Sequence, residues 1–272
     1  MAQIAGINIL GVDDDQPDYG RWLIHGPQGS GKSTLASTIA KLGKTLYIDL
    51  VGEKGTRSFQ GATYAKNIDV IRPESITKLD DIFYFLQSGK HDYKAVVIDS
   101  MTSVQKMAMR YLLGHDETAV KEIKQGTAPA DIRTWGQALD IMQDTATFWM
   151  GLADGNSAHP LHVVMISQTK MTENEYDGTV TRSPDVQKGA LSFLLAAPDY
   201  VIYTDVEEDH ENSDEDGPAY RHIARFGANP EYRTKARIPV NLRGKIPSVL
   251  GRGKNPADLA ALSKVLGIGG TK

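Results

Sequence analysis

The stretch LIHGPQGSGKST, from Leu23 to Thr34, decides the fold. It completes the pattern G-x-x-x-x-G-K-[ST], after an apolar run that predicts a strand and before a predicted helix. Glycines let the backbone curl so that its N–H groups point at phosphate oxygens, and the helix N-terminus adds partial positive charge. The stretch therefore predicts a phosphate-binding loop, made of Gly26, Pro27, Gln28, Gly29, Ser30, Gly31, Lys32, Ser33 and Thr34.

Two positions in this loop and one acid further on predict a magnesium site. Lys32 is expected to reach the β- and γ-phosphates, and the Ser33 hydroxyl is expected to hold Mg²⁺. Asp99 ends the apolar run AVVID, where a carboxylate can hold the same ion through water. The alternative is that Asp99 caps the following helix, a task that Ser100 could share.

A general base is expected near the end of the second predicted strand. Glu53, in YIDLVGEKGT, is placed to orient and deprotonate the water that attacks the γ-phosphate. Asp49 is the rival, although it lies on the strand itself. A solvated loop residue is the simpler interpretation of Glu53.

Gln168 and a pair of cations complete the candidate site. Gln168 follows the strand LHVVMIS, where its amide can hydrogen-bond a γ-phosphate; bonding to nearby backbone is the alternative. Lys235 and Arg237 alternate in EYRTKARIP and share one side of an extended chain, with Arg233 as a third possibility. Such a pair suits delivery into a neighbouring subunit's γ-phosphate, or else forms a solvated basic edge.

Alternating strands and helices predict the fold class, an α/β core with a mainly parallel sheet and helices on both faces. Runs at 200–205 and 219–226 predict an antiparallel edge hairpin around an acidic turn. We expect a short N-terminal extension (1–20), an ATPase core (21–240), and a tail with a short helix (241–272). Segment 114–133 is predicted to be a loop or broken helix, and segment 170–189 a mobile loop.

Composition excludes some classes of protein. The chain has 272 residues, a net charge of -4 and no cysteine, so a basic DNA-coating protein, disulfides and thiolate metal sites are excluded. No apolar run approaches the roughly 18 residues of a membrane span, so no membrane is expected. The first residues do not match a signal peptide, and a cytoplasmic protein is expected.

These motifs, in this order, resemble the RecA-like P-loop ATPase core from about Arg21 to Pro239. The nearest resemblance is to small phage and prophage RecA-like ATPases, including Sak-type single-strand annealing proteins. The sequence VVIDS resembles the RecA Walker B motif, whereas AAA+ ATPases and many helicases carry a glutamate at the place of Ser100. One departure is that Val51 and Gly52 separate the second strand from Glu53.

The resemblance implies ATP and Mg²⁺ as cofactors and assigns roles to the candidate residues. Lys32 and Ser33 contact phosphates and Mg²⁺, Glu53 is the catalytic base, and Asp99 lies at Mg²⁺. Gln168 becomes the γ-phosphate sensor, while Lys235 and Arg237 become fingers acting in trans.

The function that the resemblance implies is a DNA-stimulated ATPase of phage recombination. It would form a ring or filament, bind single-stranded DNA, promote annealing or strand pairing, and work in the host cytoplasm, with a single-strand-binding protein as a possible partner. Tyr176 could stack on a base, and the tail has a basic run. A helicase- or loader-type motor of replication and a nucleotide switch acting on a protein partner are the alternatives. A small-molecule kinase would need an arginine-rich lid, which the sequence lacks.

Overall fold

The computed structural model describes residues 3–4, 7–8, 19–50, 53–114, 131–154, 157–212, 218–252 and 255–269. Two short strands, β1 (Gln3–Ile4) and β2 (Ile7–Asn8), pair with each other antiparallel. The other strands that the structure describes form a ten-stranded sheet. Their bounds are β3 (Arg21–Gly26), β4 (Thr45–Asp49), β5 (Ile68–Ile71), β6 (Ala95–Asp99), β7 (His162–Glu173), β8 (Val180–Pro184), β9 (Tyr200–Glu208), β10 (Tyr220–Arg225), β11 (Lys235–Ala236) and β12 (Val249–Leu250).

The sheet is parallel at its centre and antiparallel at one edge. Its order is β12-β10-β9-β3-β7-β6-β4-β5, with β8 paired to β7 and β11 paired to β9. Strands β9, β3, β7, β6, β4 and β5 run parallel to their neighbours in this order, while β10 and β12 are antiparallel. Strand β7 separates the strand before the phosphate loop from the strand that ends in Asp99. The predicted α/β core with a mainly parallel sheet is confirmed, including the antiparallel hairpin of β9 and β10.

Helices cover both faces of this sheet. They are α1 (Lys32–Ser37), α2 (Ile76–Gln87), α3 (Met101–Leu112), α4 (Ile132–Gly151), α5 (Lys188–Ala196) and α6 (Leu259–Val265). Leu23 and Val96 face a core that includes residues of α2 to α5. Trp22 and Val97 face the opposite core, which includes residues of α1 and α6. Central strands buried on both faces need continuous apolar runs, which explains the sequence of β3 and β6.

The first helix is shorter than the sequence predicts. The pattern favours a helix from Lys32 to about Leu42, but α1 ends at Ser37 and a 3₁₀ helix follows over Thr38–Lys41. The Ser37 hydroxyl donates to Thr34 O at 2.7 Å, and the Thr38 hydroxyl donates to Leu35 O at 2.6 Å. Hydroxyls that bond back to the preceding turn compete with the regular helical pattern, which accounts for the change.

The segment 170–189 is not the mobile loop that its mixed charge predicts. Strand β7 continues beyond its pairing with β3 and β6 to Glu173 and pairs there with β8, so the segment forms a β-hairpin. Its turn is held by Asn174, whose side chain accepts from Tyr176 N at 3.0 Å. Strand pairing gives these polar residues backbone partners, so an ordered ribbon extends from Gln168 in place of a loop. Most of the predicted segment 114–133 lies outside the described residues.

The tail contributes to the core. Helix α6, predicted as the short helix of segment 241–272, buries Leu259 and Leu262 beside α1. Leu259 N also donates to the Thr38 hydroxyl at 2.8 Å. Within the part of the chain that the structure describes, no helix has the length and apolar character that crossing a membrane requires.

Candidate nucleotide-binding site

A cavity of about 590 Å³ lies at the carboxyl ends of the central parallel strands. In an open α/β sheet this edge is where ligands bind, as expected from the sequence. The cavity brings together residues from five separate stretches of chain. They are Gln28, Gly29, Gly31, Lys32, Ser33, Thr34, Glu53, Lys54, Gly55, Arg57, Ser58, Asp99, Gln168 and His222.

The predicted phosphate loop has the backbone that its glycines allow. Gly29 and Gly31 have φ of 79° and 88°, values that other residues adopt rarely. Gly26 is packed so closely that a Cβ there would stand 2.5 Å from Thr204 O. Lys32 lies over the loop and donates to Gly26 O at 2.9 Å and to Pro27 O at 2.7 Å. Burial lowers the pKa of Lys32, so an incoming phosphate would meet a cation that carries little hydration.

Ser33 and Asp99 meet directly. The Ser33 hydroxyl donates to Asp99 Oδ2 at 2.7 Å, and the Tyr47 hydroxyl donates to the same oxygen at 2.6 Å. Burial raises the pKa of Asp99, while these two hydrogen bonds act in the opposite direction. Tyr47 was not a sequence candidate, because only the pairing of β4 with β6 reveals its contact. The Asp99 carboxylate faces the loop, and Ser100 occupies the N-cap position of α3.

The oxygen atoms of Ser33 and Asp99 fit a magnesium ion. They are a hydroxyl and a carboxylate, the oxygen ligands that Mg²⁺ accepts together with water and substrate phosphates. In the described ranges no group of three or more His, Asp or Glu side chains could hold a metal alone, so phosphates and water would complete the ligands. Gly55 leaves the space open, since a Cβ there would stand 2.4 Å from Asp99 Oδ2.

Glu53 is held in the cavity by three side chains. Its Oε1 accepts from the Ser100 hydroxyl at 2.7 Å and from the Ser103 hydroxyl at 2.8 Å. Its Oε2 accepts from Gln168 Nε2 at 3.3 Å. The position therefore differs from that of a solvated loop residue, and Ser100, which stands where AAA+ ATPases and many helicases carry a glutamate, contacts Glu53 itself. Ser103 was missed, although its place one turn along α3 from Ser100 could have suggested it.

Asp49, the rival base, has a different environment. Its carboxylate is 1% exposed and pairs with Arg72 at 2.9 Å. Arg72 also donates to the Thr56 hydroxyl at 3.3 Å. Arg72 thus joins Asp49 to Thr56, and the acids that line the cavity are Glu53 and Asp99.

Gln168 connects the cavity to the β7–β8 hairpin. Its backbone N–H donates to the Thr102 hydroxyl at 3.1 Å, and its carbonyl accepts from Asp185 N at 2.7 Å. The side chain remains directed at Glu53. The backbone contacts fix the residue while its side-chain amide reaches the cavity, and its role as a γ-phosphate sensor stays a prediction.

Lys235 and Arg237 lie away from the chain's own cavity and have partners within the subunit. Lys235 Nζ donates to Leu195 O at 2.7 Å, at the C-terminus of α5. Arg237 donates to Asp199 Oδ1 at 2.6 Å, and Asp199 also accepts from Arg21 at 2.8 Å. Their action in a neighbouring subunit stays a prediction.

The family model of the AAA domain matches residues 19–238. Among solved structures, the RadB recombinase is similar, at 15% identity and a TM-score of 0.40 over 76% of this chain and 81% of that chain. The P4 protein from bacteriophage phi6 in complex with ADP is similar at 14% identity and a TM-score of 0.30, over 85% of this chain and 66% of that chain. No curated protein matches the sequence. The matched residues contain the loop, Glu53, Asp99 and Gln168, and the chain is a P-loop ATPase that belongs to the AAA domain family.

Proposed function

We propose that this chain couples magnesium-dependent ATP hydrolysis to the handling of single-stranded DNA in recombination, and that it does so as a ring or filament. The observation that carries the proposal is the place of Gln168. This residue touches Glu53 in the cavity and also begins the exposed part of β7. A change at the γ-phosphate would therefore reach the hairpin without an intermediate element.

The geometry suits hydrolysis by a water that Glu53 activates. The water oxygen would bond to the γ-phosphorus, the bond to the bridging oxygen would break, and the proton would pass to Glu53. Ser100 and Ser103 orient the carboxylate for this step. Lys32 would exchange its loop carbonyls for phosphate oxygens. Ser33 and Asp99 would hold Mg²⁺, which when bound supplies positive charge that stabilises the transferred phosphoryl group.

The hairpin provides a surface for an unpaired base. Tyr176 at its turn is 100% exposed, and Met171 on β7 is 61% exposed. An exposed aromatic ring can stack on any base, which gives binding without sequence preference. The Lys170 ammonium binds Val186 O and is thus engaged within the fold.

The hairpin also contacts the segment that leads to the predicted fingers. Arg182 N donates to Glu231 O at 2.7 Å, and the Arg182 guanidinium lies 5.0 Å from the centre of the Tyr232 ring. Lys235 follows within the same short segment. Nucleotide, hairpin and fingers are therefore joined through consecutive contacts, which is what coordinated turnover in an oligomer requires.

The narrower assignments rest on the motif resemblance. They are the phage or prophage setting, the host cytoplasm, annealing or strand pairing as the outcome, and a single-strand-binding protein as partner. Each adds to the ATPase assignment and none is needed for the chemistry described above.

The test is ATP hydrolysis with and without single-stranded DNA, at low and moderate salt, for the wild type and for Tyr176→Ala. We expect DNA to stimulate the rate, salt to weaken the effect, and Tyr176→Ala to lose stimulation while keeping its basal rate. Tyr84→Ala is the matched control, because Tyr84 is 65% exposed on α2. A rate that ignores DNA in every case would reject the DNA proposal and favour a switch acting on a protein.

A further inference from the structure

A second, smaller cleft opens beside the phosphate loop. Its volume is about 110 Å³, and it shares Gly31, Thr34 and His222 with the main cavity. The two spaces therefore adjoin at these three residues. The rest of its wall comes from three parts of the chain, which are α1, the β9–β10 hairpin and the residues just before α6. These wall residues include Leu35, Thr204, Ile223, Ala224, Pro256 and Ala257.

His222 stands at the junction of the two spaces. A Cβ placed on Gly31 would lie 3.2 Å from His222 Nδ1, so the imidazole packs over the last glycine of the phosphate loop. Ala224, two residues along β10, shares that face of the strand and is buried. Strand β10 thus lies over the beginning of α1, with its histidine exposed to the cavity.

The direction of a bound nucleotide follows from the proposed function. Glu53 and Gln168 mark the γ-phosphate end of the cavity, and Lys32 reaches the β- and γ-phosphates. The end of the loop, at Thr34, is then nearest the α-phosphate. Because the cleft adjoins the main cavity at Thr34, the ribose and base would extend towards it.

The chemistry of the cleft suits a flat ring with an apolar face. Of its three hydroxyls, those on Ser30 and Thr204 are 2.7 Å apart and bond to each other, and that of Thr34 lies where the cleft meets the main cavity. Ser30 also donates to Pro27 O at 2.8 Å. With these groups paired, the imidazole of His222 and the aliphatic walls remain as the main contacts, and such surroundings bind planar bases by stacking.

The segment that precedes the Pro256 wall of the cleft is paired with the β9–β10 hairpin. Arg252 pairs with Glu207 on β9 at 2.8 Å, and Glu207 also pairs with Arg221 on β10 at 3.1 Å. Gly251 allows close packing, since a Cβ there would stand 2.8 Å from His222 O. Ion pairs and close packing therefore join β9, β10 and the segment at Gly251 and Arg252 beside the cleft.

We infer that this cleft binds the base and ribose of the nucleotide and that His222 stacks on the base. The inference rests on the proposed function, because the orientation of the phosphates sets the direction of the base. It gives β10 a part in nucleotide recognition, which neither its sequence nor its place between β12 and β9 indicates.

The test compares binding of ATP and of inorganic tripolyphosphate, which has no base or ribose, by isothermal titration calorimetry in the presence of Mg²⁺. The variants are His222→Ala, His222→Phe, Ala257→Phe to fill the cleft, and His210→Ala as control. His210 lies beyond β9, with a side chain 81% exposed. We expect His222→Ala to weaken ATP binding about tenfold, with tripolyphosphate binding unchanged. His222→Phe keeps ATP binding, Ala257→Phe weakens it, and His210→Ala has no effect.

Two results would overturn the inference. One is an equal loss of ATP and tripolyphosphate binding in His222→Ala, which would assign the residue to the shape of the loop. The other is unchanged ATP binding in both His222→Ala and Ala257→Phe, which would place the base elsewhere. Failure of the wild type to bind either compound would instead reject the proposed phosphate site, and the inference with it.

Discussion

The side-chain amide of Gln168 donates to Glu53 Oε2 at 3.3 Å, which joins two residues 115 positions apart in the sequence. One was predicted as the γ-phosphate sensor and the other as the base. Because the amide carries a second N–H, a phosphate oxygen that accepted from Gln168 would share this amide with Glu53. Ser100 and Ser103 would continue to hold the other carboxylate oxygen, so a bound nucleoside triphosphate and the predicted base would be joined through one side chain.

Glu53→Gln is expected to remove hydrolysis and to keep ATP binding. An amide cannot take the proton from water, and general bases contribute about 10²–10⁴-fold to rates. The measurement is the turnover number together with ATP affinity. Glu74→Gln makes the same change at an exposed position outside the cavity and should behave as wild type. Turnover by Glu53→Gln near the wild-type rate would exclude Glu53 as the base.

Gly55→Ala is expected to disturb the site where Mg²⁺ would bind. The added methyl group would stand 2.4 Å from Asp99 Oδ2 and 2.7 Å from Ser33 Oγ, so both candidate Mg²⁺ ligands must shift. Displacements of this size commonly cost about 100-fold in rate. The measurement is hydrolysis as a function of Mg²⁺ concentration. Gly136→Ala, in α4 with no atom within 4 Å of the new carbon, is the control, and equal rates for the two variants would contradict the assignment.

Arg237→Ala is expected to lose turnover in the assembled protein with little loss of stability. Arg237 is 57% exposed, and Asp199 would keep its ion pair with Arg21, so the free energy of unfolding should fall by less than about 1 kcal/mol. An arginine finger is worth about 10³-fold or more. Lys78→Ala removes another exposed cation, 70% exposed, as a control.

A mixing experiment distinguishes action in trans from action in cis. Arg237→Ala subunits keep an intact phosphate loop, whereas Lys32→Ala subunits keep an intact finger. If the finger acts on the neighbour, mixing the two inactive variants restores some activity. If Arg237→Ala turns over ATP at the wild-type rate, and mixing the two variants restores no activity, the proposed fingers belong to the surface alone.

Lys235 is expected to titrate within the range of ordinary buffers. Burial, with Arg237 nearby, lowers its pKa from 10.5 to about 8. Between these two values the unfolded chain binds more protons than the folded chain, so this group makes the folded state gain stability as the pH rises. We expect the free energy of unfolding of the wild type, relative to that of Lys235→Met, to increase between about pH 7 and about pH 9.5 when both are measured by urea unfolding. A Lys235 pKa near 10.5 by NMR would contradict this.

The phosphate loop, Asp99 and Gln168 could be found from sequence because each lies at the end of a buried apolar strand. These residues lie close together because the carboxyl ends of parallel strands are at the same edge of the sheet. The contacts of Glu53 could not be found in this way. Ser100 and Ser103 reach it only because Glu53 lies beside the start of α3, and a linear pattern does not contain that distance.

The hairpin of β7 and β8 and the position of His222 were also beyond the sequence. Charged residues interrupt the alternation of segment 170–189, so the pairing of its strands leaves little hydrophobic signal. His222 lies on β10, far along the chain from the loop it covers. Its contact with Gly31 depends on the order of strands across the sheet, which local propensity does not determine.

Strand β7 has the properties of a lever arm. Its first half is clamped between β3 and β6, and the five residues from Thr169 to Glu173 project from that clamp with β8 as their brace. Five extended residues span roughly 17 Å, so a tilt of about 10° at Gln168 would move the far end by about 3 Å. A paired ribbon resists bending better than a loop of the same length. The energy of a single phosphate contact could thus be converted into displacement at a distance, with the sheet as the fulcrum.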